Sequence, residues 1–387
     1  MKNIILFISG ILLCLSAKAQ TDSITISGVL KGLSNRKLGI SWTGSDDAKS
    51  GYVTAQGNGD HFSVRVPVQD MPVAAKLYVH PVQGQMNESS SGPKPPFDFF
   101  LLNTDIVLNG AADSPGTIHL KGDDENERYN QLLLQMAPTE QKQRQMLDKL
   151  WDSAIKRSPV DSAKLSEEIM ALYRENVKKE KAFVKANPDA FASLFILSRT
   201  ANSYSADEYL ATWKALKPTY KNTVVGRAVA RIAEKLSVTQ SGTPVFAFER
   251  LDKEGNKVSP ELMKGSAYIL DFWGSWCAPC RASHPHLKEL YKKYKSKGFE
   301  IIAIAQERGK TLEESKKAWS KAIKEDDVNW VHILNQDGIA QQDIVKTFSV
   351  NGFPTKILVG ADGKIITRVT AGVSDAIDKA LEKIYGF

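Results

Sequence analysis

The sequence reads as a multidomain chain: an N-terminal β-sandwich-like domain, a central helical segment and a C-terminal α/β domain. Three observations predict this. Apolar residues alternate in twos through residues 21–120, follow a helical period through 123–236, and form strand-like runs separated by amphipathic helices from 240 onward. A length of 387 residues suits two or three domains.

The N-terminus reads as a targeting segment. Lys2 supplies a positive start, Ile4–Leu15 an apolar stretch, and Ala17-Lys18-Ala19 a cleavage site before Gln20. We therefore place a signal peptide at 1–19, a β-rich domain at 20–122, a helical segment at 123–239 and the α/β domain at 240–387. The apolar stretch is short for a bilayer, and no other run reaches the required length of about 20 residues. A lipid anchor at Cys14 would need a small residue before it, and Leu13 stands there. The expectation is a periplasmic protein with no stable membrane insertion.

Composition is that of an ordinary globular protein, 42% hydrophobic and 25% charged. The formal charge of +7 falls to +5 without Lys2 and Lys18. The lysines are scattered among acids, as in Val177–Lys185, with no arginine stripe. Solvated helix faces explain this better than nucleic-acid binding.

In the β region, Ile24, Ile26 and Leu30 are spaced in twos, and Phe62, Val64 and Val66 alternate with polar residues after Gly57-Asn58-Gly59-Asp60. Leu77 with Val79, Phe99–Leu101, Ile106–Leu108 and Ile118–Leu120 continue the pattern, and several short strands suggest a sandwich. Gln83–Pro96, rich in Ser, Gly and Pro, reads as a long mobile loop. His61, His80 and His119 are too dispersed to suggest a shared metal site.

In the helical region, Tyr129, Leu132, Leu133 and Met136 share one face, as do Leu147, Leu150, Trp151 and Ala154. Leu165, Ile169 and Leu172 begin another stripe. Pro138, Pro159, Pro188 and Pro218 are expected to divide the segment into several helices.

The C-terminal region predicts strands at Ala267–Trp273, Glu300–Ala305 and Trp330–Leu334, and a hairpin of Thr355–Gly360 with Lys364–Thr370. Helices are expected from the first strand to about Lys295, at Thr311–Lys324, at Asp343–Phe348 and at Ser374–Tyr385. Such alternation implies a sheet covered on both faces.

Trp276-Cys277-Ala278-Pro279-Cys280 carries the chemistry. Cys277 and Cys280 are the only cysteines left once the signal is removed. On a helix, residues three apart have Cα atoms about 5 Å apart, within reach of a disulfide. At a helix N-terminus the dipole and free N–H groups favour thiolate. Cys277 is expected to be exposed and to attack a substrate disulfide. Cys280, one turn deeper, then displaces the substrate. Pro279 has the φ and the missing N–H that suit a first helical turn. A permanent staple closing so short a loop would stabilise little. The alternative is a metal site using His284 and His286, but the second ligand pair of a structural zinc site is missing.

These residues resemble the thioredoxin superfamily, specifically the exported TlpA/ResA-like reductases. The resemblance covers about the last 150 residues. It rests on Asp271-Phe272-Trp273-Gly274-Ser275-Trp276-Cys277-Ala278-Pro279-Cys280, on Pro285, and on Gly352-Phe353-Pro354-Thr355. It implies a thioredoxin-like fold for 240–387. It also implies that Asp271 sits behind the second cysteine and helps to remove its proton. Burial favours the protonated form of a carboxyl, which suits such a group to trade protons near neutral pH. An acid reaching water at a strand edge is the alternative. The chain departs from the ResA branch at Ser283, where that branch tends to carry an acid.

The resemblance makes Pro354 a cis-proline, and gives the Phe353 backbone the task of pairing with the substrate chain. A trans proline at the strand start is the alternative. Trp276 is expected on the contact surface with Ala278, Pro279, Phe353 and Pro354, and Trp273 in the core. Pro285 is expected to kink the helix.

The reading is an exported thiol–disulfide oxidoreductase acting as a reductant on disulfide-containing protein substrates, without a cofactor. An upstream membrane thiol electron donor would recharge it. The alternative is an extracytoplasmic ligand- or partner-binding protein whose thioredoxin module is a docking surface. A peroxidase fails because no thiol precedes the Cys277/Cys280 pair.

Overall fold

A computed structural model describes residues 22–44, 50–81, 95–156, 159–370 and 375–386, with the side chains of 151–163 excepted. The signal segment and most of Gln83–Pro96 lie outside the described residues.

Eight strands come first: β1 (Ser23–Lys31), β2 (Lys37–Trp42), β3 (Gly51–Gln56), β4 (His61–Pro67), β5 (Val73–Val79), β6 (Phe97–Leu101), β7 (Ile106–Ala111) and β8 (Ser114–Lys121). They form two four-stranded sheets, ordered β4-β1-β7-β8 and β3-β2-β5-β6. Pairing is antiparallel except for β1 with β7. The inward residues of both sheets, among them Ile26, Leu30, Ile40, Leu77, Phe99, Ile106 and Leu108, make one apolar core. Strands β2 and β3 are additions to the sequence reading. Leu38, Ile40 and Trp42 alternate legibly and are buried. β3 is half-buried throughout, so it carries little hydrophobic signal.

Two long helices follow, α1 (Asp124–Lys156) and α2 (Pro159–Ala186), then α3 (Phe191–Arg199), α4 (Ala206–Ala215) and α5 (Val224–Ser237). Helix α1 is tied to the sandwich by two asparagines. The Asn126 carboxamide accepts from Phe100 N and donates to Phe100 O, both at 2.8 Å. The Asn130 carboxamide accepts from Leu120 N at 2.9 Å and donates to Ile118 O at 2.7 Å. Phe100 also joins the helical core, packing against Tyr129, Phe191 and Phe195.

Two expectations fail here. Pro138 does not end a helix but sits inside α1. Tertiary packing offsets the lost hydrogen bond: Met136 is buried, and Lys179 of α2 donates to Gln135 O and Thr139 Oγ1, each at 3.3 Å. The stripe through Leu147 is not a buried face. Leu147 is exposed and Met146 is buried instead, because a two-helix hairpin covers only a narrow seam, while Ile169 of the next stripe is buried as expected. Trp151 and Ala154 lie outside the described side chains.

The remaining elements are a small hairpin of β9 (Arg250–Leu251) and β10 (Lys257–Val258), then β11 (Tyr268–Trp273), α6 (Ala278–Ala282), α7 (His284–Tyr294), β12 (Glu300–Ala305), α8 (Leu312–Asp326), β13 (Val331–Leu334), α9 (Ile344–Thr347), β14 (Thr355–Val359), β15 (Ile365–Thr370) and α10 (Ala376–Tyr385). The sheet order is β13-β12-β11-β14-β15. Strands β11, β12 and β13 are parallel, and β14 and β15 antiparallel to their neighbours. Both faces are covered, as the alternation predicts. Ile269 and Trp273 share a core with Leu287, Leu290, Trp319 and Leu381 of the helices. Tyr268, Leu270 and Phe272 pack on the other side with Phe248, Val258, Ile344 and Phe348.

Among the described residues, no helix is long and apolar enough to cross a membrane.

Candidate active site

Cys277 and Cys280 are joined as a disulfide with Cα atoms 5.3 Å apart. They sit where β11 gives way to helix. Cys277 is the N-cap of α6, and its Sγ accepts the Cys280 backbone N–H at 3.3 Å. Pro279 lies in the first turn.

The expected continuous helix to Lys295 is absent. It breaks at Ser283, and Pro285 opens a second helix, α7, rather than kinking the first. A five-residue helix has little macrodipole, so the directed Cys280 N–H is the main local donor to the Cys277 sulfur.

The expected exposure of Cys277 is also corrected. It is 4% exposed and Cys280 1%. Trp276 and Phe353 pack against the core that holds both sulfurs, and their rings meet edge to face at 5.6 Å. Ala278 and Pro279 are exposed beside them, and Trp276 and Phe353 are half-buried. The Phe353–Pro354 peptide is cis, and Pro354 is buried. Four of the five expected contact residues are therefore at least partly exposed, and Pro354 is buried.

The loop before Cys277 is clamped by residues that the sequence reading missed. Glu307, buried just after β12, accepts from Ser275 N at 2.8 Å and from Ser275 Oγ at 2.6 Å. Trp276 Nε1 donates to Gln306 O at 2.8 Å, and the Arg308 guanidinium lies 3.4 Å from the Trp276 ring centre. Gly274 is required by this closeness: a Cβ there would stand 2.6 Å from Trp276 Nε1 and 2.7 Å from Gln306 O.

Asp271 occupies the middle of the central strand and is 1% exposed, so it is no edge residue reaching water. Strand alternation places it with Ile269 and Trp273, on the face whose core includes both cysteines. Lys356 of β14 stands directly opposite it. The Lys356 Nζ is 3.5 Å from Asp271 Oδ1 and donates to Ser283 Oγ at 3.0 Å. Ser283 Oγ donates to the Cys280 carbonyl at 2.7 Å. Lys356 is only 7% exposed. Its signal in the sequence is a lone lysine in the otherwise apolar run Ile357–Val359 that follows Pro354-Thr355.

The two histidines after the disulfide are otherwise engaged. Buried His284 has Nδ1 2.8 Å from Asp326, which Arg281 also bonds at 3.0 Å, and its ring meets Trp273 edge-on at 5.0 Å. Burial works against ionisation of Asp326, but the bonds from Arg281 and His284 prevail and hold its carboxyl below its ordinary range. His286 pairs with Asp378 at 2.8 Å.

A thioredoxin-like family model matches residues 265–365, which include the disulfide, Asp271, the cis-proline and Lys356. The thiol-disulfide oxidoreductase ResA of Bacillus thuringiensis subsp. konkukian is 34% identical over 134 residues, covering 34% of this chain and 72% of the relative. ResA of Bacillus subtilis is 31% identical over 149 residues, covering 38% and 76%. Among solved structures, the thioredoxin domain of a thiol-disulfide oxidoreductase from Bacteroides vulgatus is 31% identical, covering 38% of this chain and 97% of that one, with a TM-score of 0.33. The chain therefore belongs to the ResA-like thiol-disulfide oxidoreductases of the thioredoxin superfamily.

Proposed function

We propose that the protein is an exported reductant that exchanges disulfides with polypeptides outside the cytoplasm through Cys277 and Cys280, and that residues 240–387 are its catalytic domain. One observation carries the reading: a Cys277–Cys280 disulfide at a helix start, backed by a buried carboxylate on the same face of the sheet. Lys2, Ile4–Leu15 and Ala17-Lys18-Ala19 support export.

In the reduced enzyme, the Cys277 thiolate attacks one sulfur of the substrate disulfide. The substrate S–S bond breaks, one substrate thiol leaves with a proton, and a mixed disulfide forms. Asp271 accepts the Cys280 proton. The Cys280 thiolate then attacks Cys277, which re-forms the enzyme disulfide and releases the second substrate thiol. Two electrons have passed from enzyme to substrate. An upstream membrane thiol carrier returns two electrons and so resets the pair. Lys356 supplies a positive charge beside the Asp271 carboxylate in a dry site. Through Ser283, it also anchors the end of α6 that holds Cys280. Trp276, Ala278, Pro279 and Phe353 form the contact surface.

Insulin reduction with dithiothreitol tests the reading. Catalysed precipitation of the insulin B chain, well above the rate with dithiothreitol alone, is expected. No acceleration would leave the module as a docking surface and favour the binding-protein alternative.

A further inference from the structure

The central helical segment reaches the loop that carries the cis-proline. The short 3-10 turn Ala201–Ser203 and helix α4 both pack against β15, the edge strand of the five-stranded sheet. Polar bonds fix this contact. Buried Arg368 of β15 donates to Thr239 Oγ1 and to Phe348 O, each at 2.7 Å, and Asp207 of α4 accepts from Ser241 N at 3.1 Å. The turn brings exposed Asn202 to Gly352, two residues before Pro354. The Asn202 side-chain nitrogen and oxygen lie 3.7 and 3.9 Å from the point where a side chain on Gly352 would begin. The Asn202 carboxamide makes no hydrogen bond among the described residues.

We propose that Asn202 hydrogen-bonds the extended chain of a polypeptide substrate as it passes Gly352-Phe353, so that the helical segment forms one wall of the substrate groove. The inference rests on the proposed disulfide exchange with polypeptides. A carboxamide offers one acceptor and a pair of donors, which matches the N–H and C=O of a peptide whatever its side chains. This chain already uses that chemistry twice, where Asn126 and Asn130 each accept from a strand N–H and donate to a strand C=O. Asn202 has the same groups, unspent and facing solvent. Gly352 carries no side chain to cover these groups, and one built there would begin in ordinary contact with Asn202 and the Thr370 methyl. From Gly352 the surface runs through Phe353 to the Trp276 ring and Cys277. A polypeptide laid along this line meets both the disulfide and Asn202. A disulfide of a few atoms meets only the first.

The test uses full-length protein and two substrates, oxidised insulin and hydroxyethyl disulfide. In Asn202→Ala, KM for insulin should rise about three- to tenfold at unchanged kcat, the loss of one or two neutral hydrogen bonds. The ratio of kcat/KM for insulin to that for hydroxyethyl disulfide should fall by the same factor. Gly352→Leu, which fills the groove, should lower the same ratio. Both variants should melt with wild type. An unchanged ratio in both variants would overturn the inference, and so would equal losses on both substrates. Wild-type protein that fails to reduce insulin would instead refute the functional reading itself.

Discussion

The N-terminal sandwich and the five-stranded sheet bury strands of similar length, but their interiors differ in polarity. Among the described residues of β1–β8, every fully buried side chain is apolar. The five-stranded sheet buries Asp271, Lys356 and Arg368 within its strands, and Glu307 just beyond one of them. Burying a charge is expensive unless it is paired. Each of these four has a partner, and three of them lie around the disulfide: Asp271 with Lys356, and Glu307 with Ser275. Arg368 bonds Thr239, beyond the last helix of the helical segment, and Phe348 O and Ser349 O within its own region. The sandwich interior is apolar throughout its strands, whereas the sheet buries charges that each need a partner.

The largest expected effect breaks the chemistry outright. Cys277→Ser should abolish turnover, while Cys280→Ser should accumulate a mixed disulfide with substrate, visible as a mass shift under non-reducing conditions. If the two variants behaved alike, the division of labour between the sulfurs would be wrong.

Asp271→Asn comes next. The amide keeps the shape but cannot take the Cys280 proton, so resolution should slow by about 10²–10⁴-fold while the first attack is largely kept. Single-turnover reduction followed against pH in both proteins measures this. Superimposable profiles would reduce Asp271 to a structural residue.

The comparison is sharpened by a double-mutant cycle. Lys356→Met leaves a buried carboxylate without its cation and should cost about 3–5 kcal/mol in denaturant melts near neutral pH. Asp271→Asn combined with Lys356→Met should recover much of that loss. Leu108→Ala in the sandwich should cost about 2–5 kcal/mol through an apolar cavity, which no change at a polar partner can repair. Additive losses at Asp271 and Lys356 would mean that the two do not interact.

Truncation to 240–387 should leave a folded fragment that still reduces hydroxyethyl disulfide. It should be less stable than the same region in the whole chain, since Arg368 loses Thr239. An insoluble or redox-inactive fragment would move the domain boundary upstream.

The smallest effect is a pH dependence. The Asp326 carboxyl is depressed in the folded state, so its contribution to stability is complete above the ordinary carboxylate range and fades as pH falls through the depressed value. Asp326→Asn should therefore be less stable than wild type near neutral pH, and the gap should begin to close only below about pH 4 and vanish below the depressed value. A constant gap down to pH 2 would assign the loss to geometry and not to charge.

Much of this site is legible in the sequence because it is local. Cys277, Pro279 and Cys280 lie within four residues, and Asp271 stands out as an acid in an apolar strand. The hairpin around Ala361-Asp362-Gly363 is equally local, and β14 and β15 pair across it. Lys356 and Glu307 were not legible as site residues. They lie 85 and 36 positions from Asp271, and only strand pairing and the end of β12 bring them to the same place. Pro138 marks the opposite failure: a strong local rule was overridden by packing between α1 and α2.

The sequence by itself determined most of the element types, the α/β character of the C-terminal region, the spacing of Cys277 and Cys280 at a helix start, and the presence of an acid in an apolar strand. In each case a residue's own chemistry or a short period carries the information. Only the tertiary structure decided that Cys277 is buried in a core against which Trp276 and Phe353 pack, that Asp271 faces a lysine, and that Asn202 borders Gly352. Those are contacts between segments far apart in the chain, set by how the sheet orders its strands and by which helices dock on its edge. No local pattern records that arrangement.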